Sequence, residues 1–145
     1  MTKKKMAEAD GVFAKIMDSN SDHIGVYFEA ADYFRDRKDS AKMGEAIADA
    51  KRIDPNDRRL KFYKGILLIL NGKNSSEAEM LLKSYLDTVP DDSDLPPHAT
   101  ALEWLGKLYE LQKKYSEAAE EYRASLALDP HNKAVEEELK RVQGK

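Results

Sequence analysis

Three short strings that end in proline punctuate the chain: Ile53-Asp54-Pro55, Thr88-Val89-Pro90 and Leu128-Asp129-Pro130. Pro55 and Pro90 lie 35 residues apart, and Pro90 and Pro130 lie 40 apart. A period in the thirties that closes on proline marks an array of helical repeats. Each unit is one small element that cannot bury its apolar face alone, so the units must stack.

Composition agrees with helices. Of the 145 residues, 41% are apolar and 35% charged, with only 7 Gly and 5 Pro. That is too little turn chemistry for an all-β fold that reverses every ten residues or so. Net charge is −3, and the one basic run is Lys3-Lys4-Lys5 at the start. A nucleic-acid binder carries a basic stripe instead, so no nucleic-acid partner is expected. Cysteine is absent, which removes disulfides and thiolate metal sites. The opening residues lack the apolar core of a signal peptide. The expected location is cytoplasmic, with the periplasm as the alternative. No stretch reaches the ~20 apolar residues of a membrane span, so no membrane insertion is expected.

The last unit is the clearest. It reads ATALEWLGKLYELQKKYSEAAEEYRASLALDP, from Ala99 to Pro130. Leu102, Leu105, Leu108, Tyr109 and Leu111 fall at helical spacing, as do Ala118, Tyr122, Leu126 and Leu128. Lys113 and Lys114 separate the two helices. Gly106 is followed three residues later by Tyr109, and Ala118 four residues later by Tyr122, with Ser125 and Pro130 beyond. Two antiparallel helices approach closely only where one presents a small side chain and an aromatic from the other fills the space beside it. In these positions the unit resembles the tetratricopeptide repeat (TPR) family.

The equivalent positions in the first unit are Ala31, Phe34, Met43, Ile47, Ala50 and Pro55. Met43 replaces the usual alanine and implies looser packing there. The middle unit has Gly65, Leu68, Ala78, Leu82 and Tyr85, with Gly72 and one extra residue in its turn, GKNSSE. Ser76 and Glu79 read as a capping box opening its second helix. In the first unit, helices are expected over Ile24–Arg37 and Ser40–Ile53. The loop VPDDSDLPP joins the second and third units, and Pro96 or Pro97 can open the next helix at its first position. Residues 7–18 read as the second helix of a partial preceding repeat, and 133–143 as a polar-backed cap.

The resemblance implies an all-α, right-handed solenoid of antiparallel helix pairs, about eight helices in one domain. Its repeats would be 24–57, 58–92 and 99–132. It also implies a non-enzymatic module that holds a peptide or helix of a partner protein in a concave groove. Carried over by position, the groove residues would be Phe28, Asp32, Arg35, Arg59, Phe62, Tyr63, Ile66, Ile69, Leu70, Thr100, Glu103, Trp104, Lys107 and Glu110. Phe28 and Trp104 can alternatively pack against neighbouring repeats. One TPR subclass grips chaperone C-terminal carboxylates with basic and amide side chains. Here Phe28, Asp32, Tyr63, Thr100 and Trp104 stand in those places, so chaperone tails are not expected to bind.

No catalytic, cofactor or metal site is expected. His23, His98 and His131 are far apart in sequence and lie at helix starts, whereas zinc needs three or four converging ligands. No phosphate loop or nucleophile motif is present.

The stretch LKFYKGILLILNG, residues 60–72, is the most apolar in the chain. Leu60, Leu67 and Leu68 share one helical face with Gly65, which packing within the array should bury. Phe62, Ile66 and Ile69 share another. That second face is expected to stay open to a partner, or alternatively to a second copy of the chain in a homodimer, the chain then being a structural or self-associating subunit of a larger assembly. A monomer or weak homodimer is expected accordingly.

Overall fold

A computed structural model describes residues 2–19, 21–73 and 75–145. Among them the chain is helix and turn, without strands. Eight helices follow in order: α1 (Lys3–Asp18), α2 (Ile24–Asp36), α3 (Ser40–Ile53), α4 (Arg59–Leu70), α5 (Ser75–Thr88), α6 (His98–Leu111), α7 (Tyr115–Leu128) and α8 (Lys133–Gln143). The closest neighbours are the sequential pairs α2–α3, α4–α5 and α6–α7. α4 also touches α2, α3 and α6, so the pairs stack into an all-helical solenoid with one continuous core.

The repeat is visible in the backbone as well as in the side chains. α2, α4 and α6 each run into one left-handed residue: Lys38 at φ 56°, Gly72 at φ 65° and Lys113 at φ 61°. In each turn the next amide donates back to the same kind of carbonyl. Asp39 N–H reaches Phe34 O at 2.9 Å, Lys73 N–H reaches Leu68 O at 3.0 Å, and Lys114 N–H reaches Tyr109 O at 2.8 Å. These are Schellman closures, which satisfy carbonyls left free at a helix end. Two of the three place lysine where glycine carries no steric cost.

Within α4–α5 and α6–α7, contact depends on a small residue facing a large one. A Cβ built on Gly106 would lie 2.5 Å from Tyr122 Cε1, and one on Gly65 would lie 2.9 Å from Leu82 Cγ. Tyr122 and Leu82 are fully buried. The Tyr122 hydroxyl donates to Glu110 Oε1 at 2.9 Å, which holds the ring against α6. Ser125 sits one turn further along α7 and donates to Ala99 O at 2.7 Å.

Several sequence expectations change on contact with this geometry. Met43 does not loosen the first unit. It is as fully buried as Ala78 and Ala118, because an unbranched, flexible side chain moulds itself to the space available. Tyr85 stands where its counterparts are Ala50 and Ser125, and it too is fully buried. Its hydroxyl donates to Pro96 O at 2.6 Å, so the long 89–97 loop folds back to satisfy it. α5 begins at Ser75, which puts Ser76 inside the first turn and not at the cap. The residue before Ser75, Asn74, lies outside the described residues. Glu79 is occupied elsewhere: it accepts from the Tyr109 hydroxyl at 2.7 Å and pairs with Lys83 at 2.9 Å. Pro97 takes the N-cap of α6 rather than its first helical position. α1 starts at Lys3, earlier than the apolar pattern indicated.

α1 is held to α2 by one face. Phe13 stacks on Tyr33 with ring centroids 4.5 Å apart. The Tyr33 hydroxyl donates to Asp10 Oδ1 at 2.5 Å, and Arg37 donates to both Asp10 and Tyr33 at 2.7 Å. Those donors hold the Asp10 carboxyl below the usual carboxylate range, with the Tyr33 hydrogen bond as the main cause.

The close contacts give a first prediction. Gly106→Ala should destabilise the chain by about 1–3 kcal/mol, the usual cost of overpacking a core, even though alanine is the better helix former by ~1 kcal/mol. Gly25 lies in α2 with nothing within 4 Å of its built Cβ, so Gly25→Ala should not destabilise. Thermal melts of the two variants check this, and equal melting temperatures would mean that the Gly106–Tyr122 contact does not set the helix spacing.

Candidate functional site

The apolar run of α4 is where expectation and structure part most clearly. Phe62, Tyr63, Ile66 and Ile69 are buried, with Phe62 only 1% exposed. Leu60, Leu67, Leu68 and Leu70 are only partly buried. The face expected to stay open is therefore the better covered of the two. The cause is the position of α4 between α2 and α6. Phe28 of α2 stacks on Tyr63 with centroids 4.8 Å apart. Phe62 packs on Tyr85 at 5.4 Å. Arg59 lays its guanidinium 4.5 Å over the Phe28 ring while pairing with Asp57 at 2.7 Å. Phe28, Phe62, Tyr63, Ile66 and Ile69 are thus core residues of the chain. The apolar surface that motivated a homodimer through them faces inward.

The other sequence-derived positions stay at least partly exposed. Arg35 on α2 pairs with Asp32 at 3.1 Å and with Asp36 at 3.2 Å. Burial raises the pKa of Asp32, with Arg35 opposing. The Tyr63 hydroxyl is pushed up as well, first by burial and then by the Asp32 carboxylate. On α6, Lys107 lies between Glu103 at 3.7 Å and Glu138 of α8, with which it makes a very short contact. Arg141 of α8 donates to both oxygens of Glu110 at 2.8 Å. These pairs lock α8 onto α6. Burial is the largest effect on Glu103 and raises its pKa, while Lys107 works against it.

Trp104 is the partly exposed aromatic of this face. The Lys107 ammonium lies 5.5 Å from its ring centre. Trp104 borders two hollows. One, of about 310 Å³, brings Arg35, Asp36 and Lys38 opposite Thr100, Glu103 and Lys107. The other, of about 360 Å³, lies between α4 and α6, with Leu70, Leu111 and Trp104 on its walls and Lys38 and Arg141 at its edge. Leu111 is 66% exposed, the most exposed of the chain's large apolar residues among those described. A third hollow, of about 230 Å³, continues past Ile69 and Leu111 to Lys73. The structure thus brings Thr100, Glu103, Trp104, Lys107 and Glu110 together with Leu70 and Arg35, and of the five buried aromatic and aliphatic residues only Ile69 lines these hollows.

Lys38, Lys73 and Arg141 belong to the same cleft and were not among the positions carried over from the repeat pattern. Lys38 and Lys73 fall in turns, and Arg141 falls in the cap, outside the first helices. The helical period does place Leu111 seven residues after Trp104 on one face of α6.

The histidines do not converge on a common centre. His23 precedes α2, and His131 lies in the turn before α8. His98 opens α6, with Nε2 2.8 Å from Val89 O. Among the described residues, no group of three His, Asp or Glu side chains is placed to hold a metal ion. No described helix is long and apolar enough to cross a membrane.

Stacked helical hairpins with a cleft along their first helices define a helical-repeat protein. Residues 99–132 match the family model of the tetratricopeptide repeat. α6–α7 is therefore similar to a tetratricopeptide repeat, and the all-helical, repeat-like architecture around it is consistent with a TPR protein. No curated protein matches the chain.

Glu103 supplies a pH prediction. Burial disfavours its charged form, so its folded pKa stands above that of an ordinary glutamate. The folded state then binds more protons than the unfolded state between those two values. Its contribution to stability is greatest at low pH and declines as pH rises through that window. Glu103→Gln should therefore be more stable than the parent in urea at pH 7, and the difference should shrink below the ordinary value of 4.5. A pH-independent difference would show that the carboxylate charge is not what is costly there.

Proposed function

We propose that the chain is a non-enzymatic protein-interaction module. Its repeats span 24–57, 58–92 and 99–132, and it binds a peptide or helix of a partner protein along α2, α4 and α6. The TPR match supports the class, since such repeats are protein-interaction units. The single observation that supports the location is the half-open Trp104, with Leu70 and Leu111 beside it in the α4–α6 cleft. An aromatic anchor in an apolar pocket ringed by charge is the pattern of a binding hot spot. The binding residues are then Leu70, Trp104 and Leu111 as apolar anchors. Arg35, Thr100, Glu103, Lys107 and Glu110 form the polar rim. Ile69 lines the floor, Phe28, Phe62, Tyr63 and Ile66 belong to the core, and Asp32 and Arg59 hold that core in place.

This division decides how the proposal is tested. Phe62→Ala would open a core cavity costing about 3–5 kcal/mol, and would report on folding rather than on binding. Exposed positions are the useful ones. A photoreactive amino acid at Leu111 should crosslink the partner in the source cells, and the same group at Met80 on α5, also exposed at 61%, should not. Crosslinks from position 80 with none from 111 would move the interaction to the opposite side of the solenoid.

A further inference from the structure

The charges around the α4–α6 cleft specify what kind of segment it takes, given the binding reading above. The chain as a whole is acidic, at −3, yet the cleft is edged mainly by cations. Lys38 and Arg141 border the hollow beside Trp104. Lys73 borders the adjoining hollow, which shares Ile69 and Leu111 with the first. The cleft therefore runs from Lys38, past Trp104 and Leu111, to Lys73. Arg141 is neutralised by Glu110, and Lys107 by Glu103 and Glu138. Lys38 and Lys73 have no ion-pair partner among the described residues. Both belong to Schellman turns with fixed backbone hydrogen bonds, and Lys38 is itself the left-handed residue of its turn. Two cations without an ion-pair partner among the described residues thus stand at the two ends of an apolar trough on rigid backbone.

We infer that this trough receives an acidic segment of a partner protein, with one bulky apolar side chain seated against Trp104, Leu70 and Leu111 and carboxylates on either side drawn to Lys38 and Lys73. The hollows, at about 360 and 230 Å³, are many times the ~30 Å³ share of one water, so a large side chain has room. Charge at the ends of the trough fixes direction and partner choice, while the apolar centre carries affinity. A basic segment would meet Lys38 and Lys73, while the acids nearest the Lys38 end, Asp36 and Glu103, are already paired with Arg35 and Lys107. Glu110 is held by Arg141, and Glu103 lies on the far side of Trp104.

The probe is a display library of random twelve-residue peptides, selected on the full chain at low salt. Enriched peptides are then titrated by the emission of Trp104, the only tryptophan. Selected sequences should carry Asp or Glu flanking a Leu, Phe or Trp, and should shift Trp104 emission. The double substitution Lys38→Glu/Lys73→Glu should weaken them about tenfold or more, and Leu111→Ser should weaken them comparably. All three positions are exposed, and unchanged helical circular dichroism of the variants separates lost binding from lost fold. Binding should also weaken as salt rises. Enrichment of neutral or basic peptides that still shift Trp104 overturns the acidic assignment and leaves the cleft as a protein-binding site. Enriched peptides that ignore Trp104 and Leu111 overturn both. Single-stranded oligonucleotides that quench Trp104 through Lys38 and Lys73 more strongly than the acidic peptides do would also overturn it. So would sedimentation showing that the cleft is closed by a second copy of the chain.

Discussion

The Gly106–Tyr122 contact, with its counterpart Gly65–Leu82, sets the dimension on which everything else rests. A side chain at either glycine would force the two helices of a hairpin apart. With hydrogen there instead, α6 and α7 close until the Tyr122 ring fills the gap, and its hydroxyl finds Glu110. That closeness positions each first helix against its predecessor. It lets α4 lie between α2 and α6, where Tyr63 stacks on Phe28 and Phe62 packs on Tyr85. The cleft at Trp104 is what remains where α4 ends and α6 continues to the exposed Leu111.

Seen this way, the apolar excess of α4 has a structural cause. A helix in the middle of a stack is covered on more sides than its neighbours. It can be apolar over most of its circumference and still expose little. α2 and α6 carry Asp32, Arg35, Glu103 and Lys107 on the corresponding faces, and these form ion pairs instead. The apolar surface left open beside α4 is accordingly a narrow trough with a charged margin. The broad greasy face that the sequence suggests does not exist.

Much of the fold was legible in the sequence because local rules dictate it. The proline-terminated period and the Gly106 and Tyr122 spacing are one-dimensional patterns with a direct packing consequence. α3 runs over the residues expected for it, and α8 starts one residue after its Asn132 cap. What escaped depends on contacts between distant residues. Nothing local to Phe62 says that Tyr85 of α5 will pack on it, and nothing local to Tyr63 says that Phe28 of α2 will stack on it. Nothing local to Tyr85 says that Pro96 will return to accept its hydroxyl hydrogen. Lys38 and Lys73 lie in turns, where helical periodicity carries no information, and only the folded chain brings them to the two ends of one trough.

The most direct measurement is hydroxyl-radical footprinting of the free chain, read by mass spectrometry at single residues. The account predicts rapid oxidation of Trp104 and Leu111, with Phe28, Phe62 and Tyr63 protected until the chain melts. Oxidation of Phe62 and Tyr63 as fast as that of Trp104, in a chain that retains its helical circular dichroism, would contradict it. It would mean that the face of α4 is open after all, and that the trough at Trp104 is not the surface a partner meets.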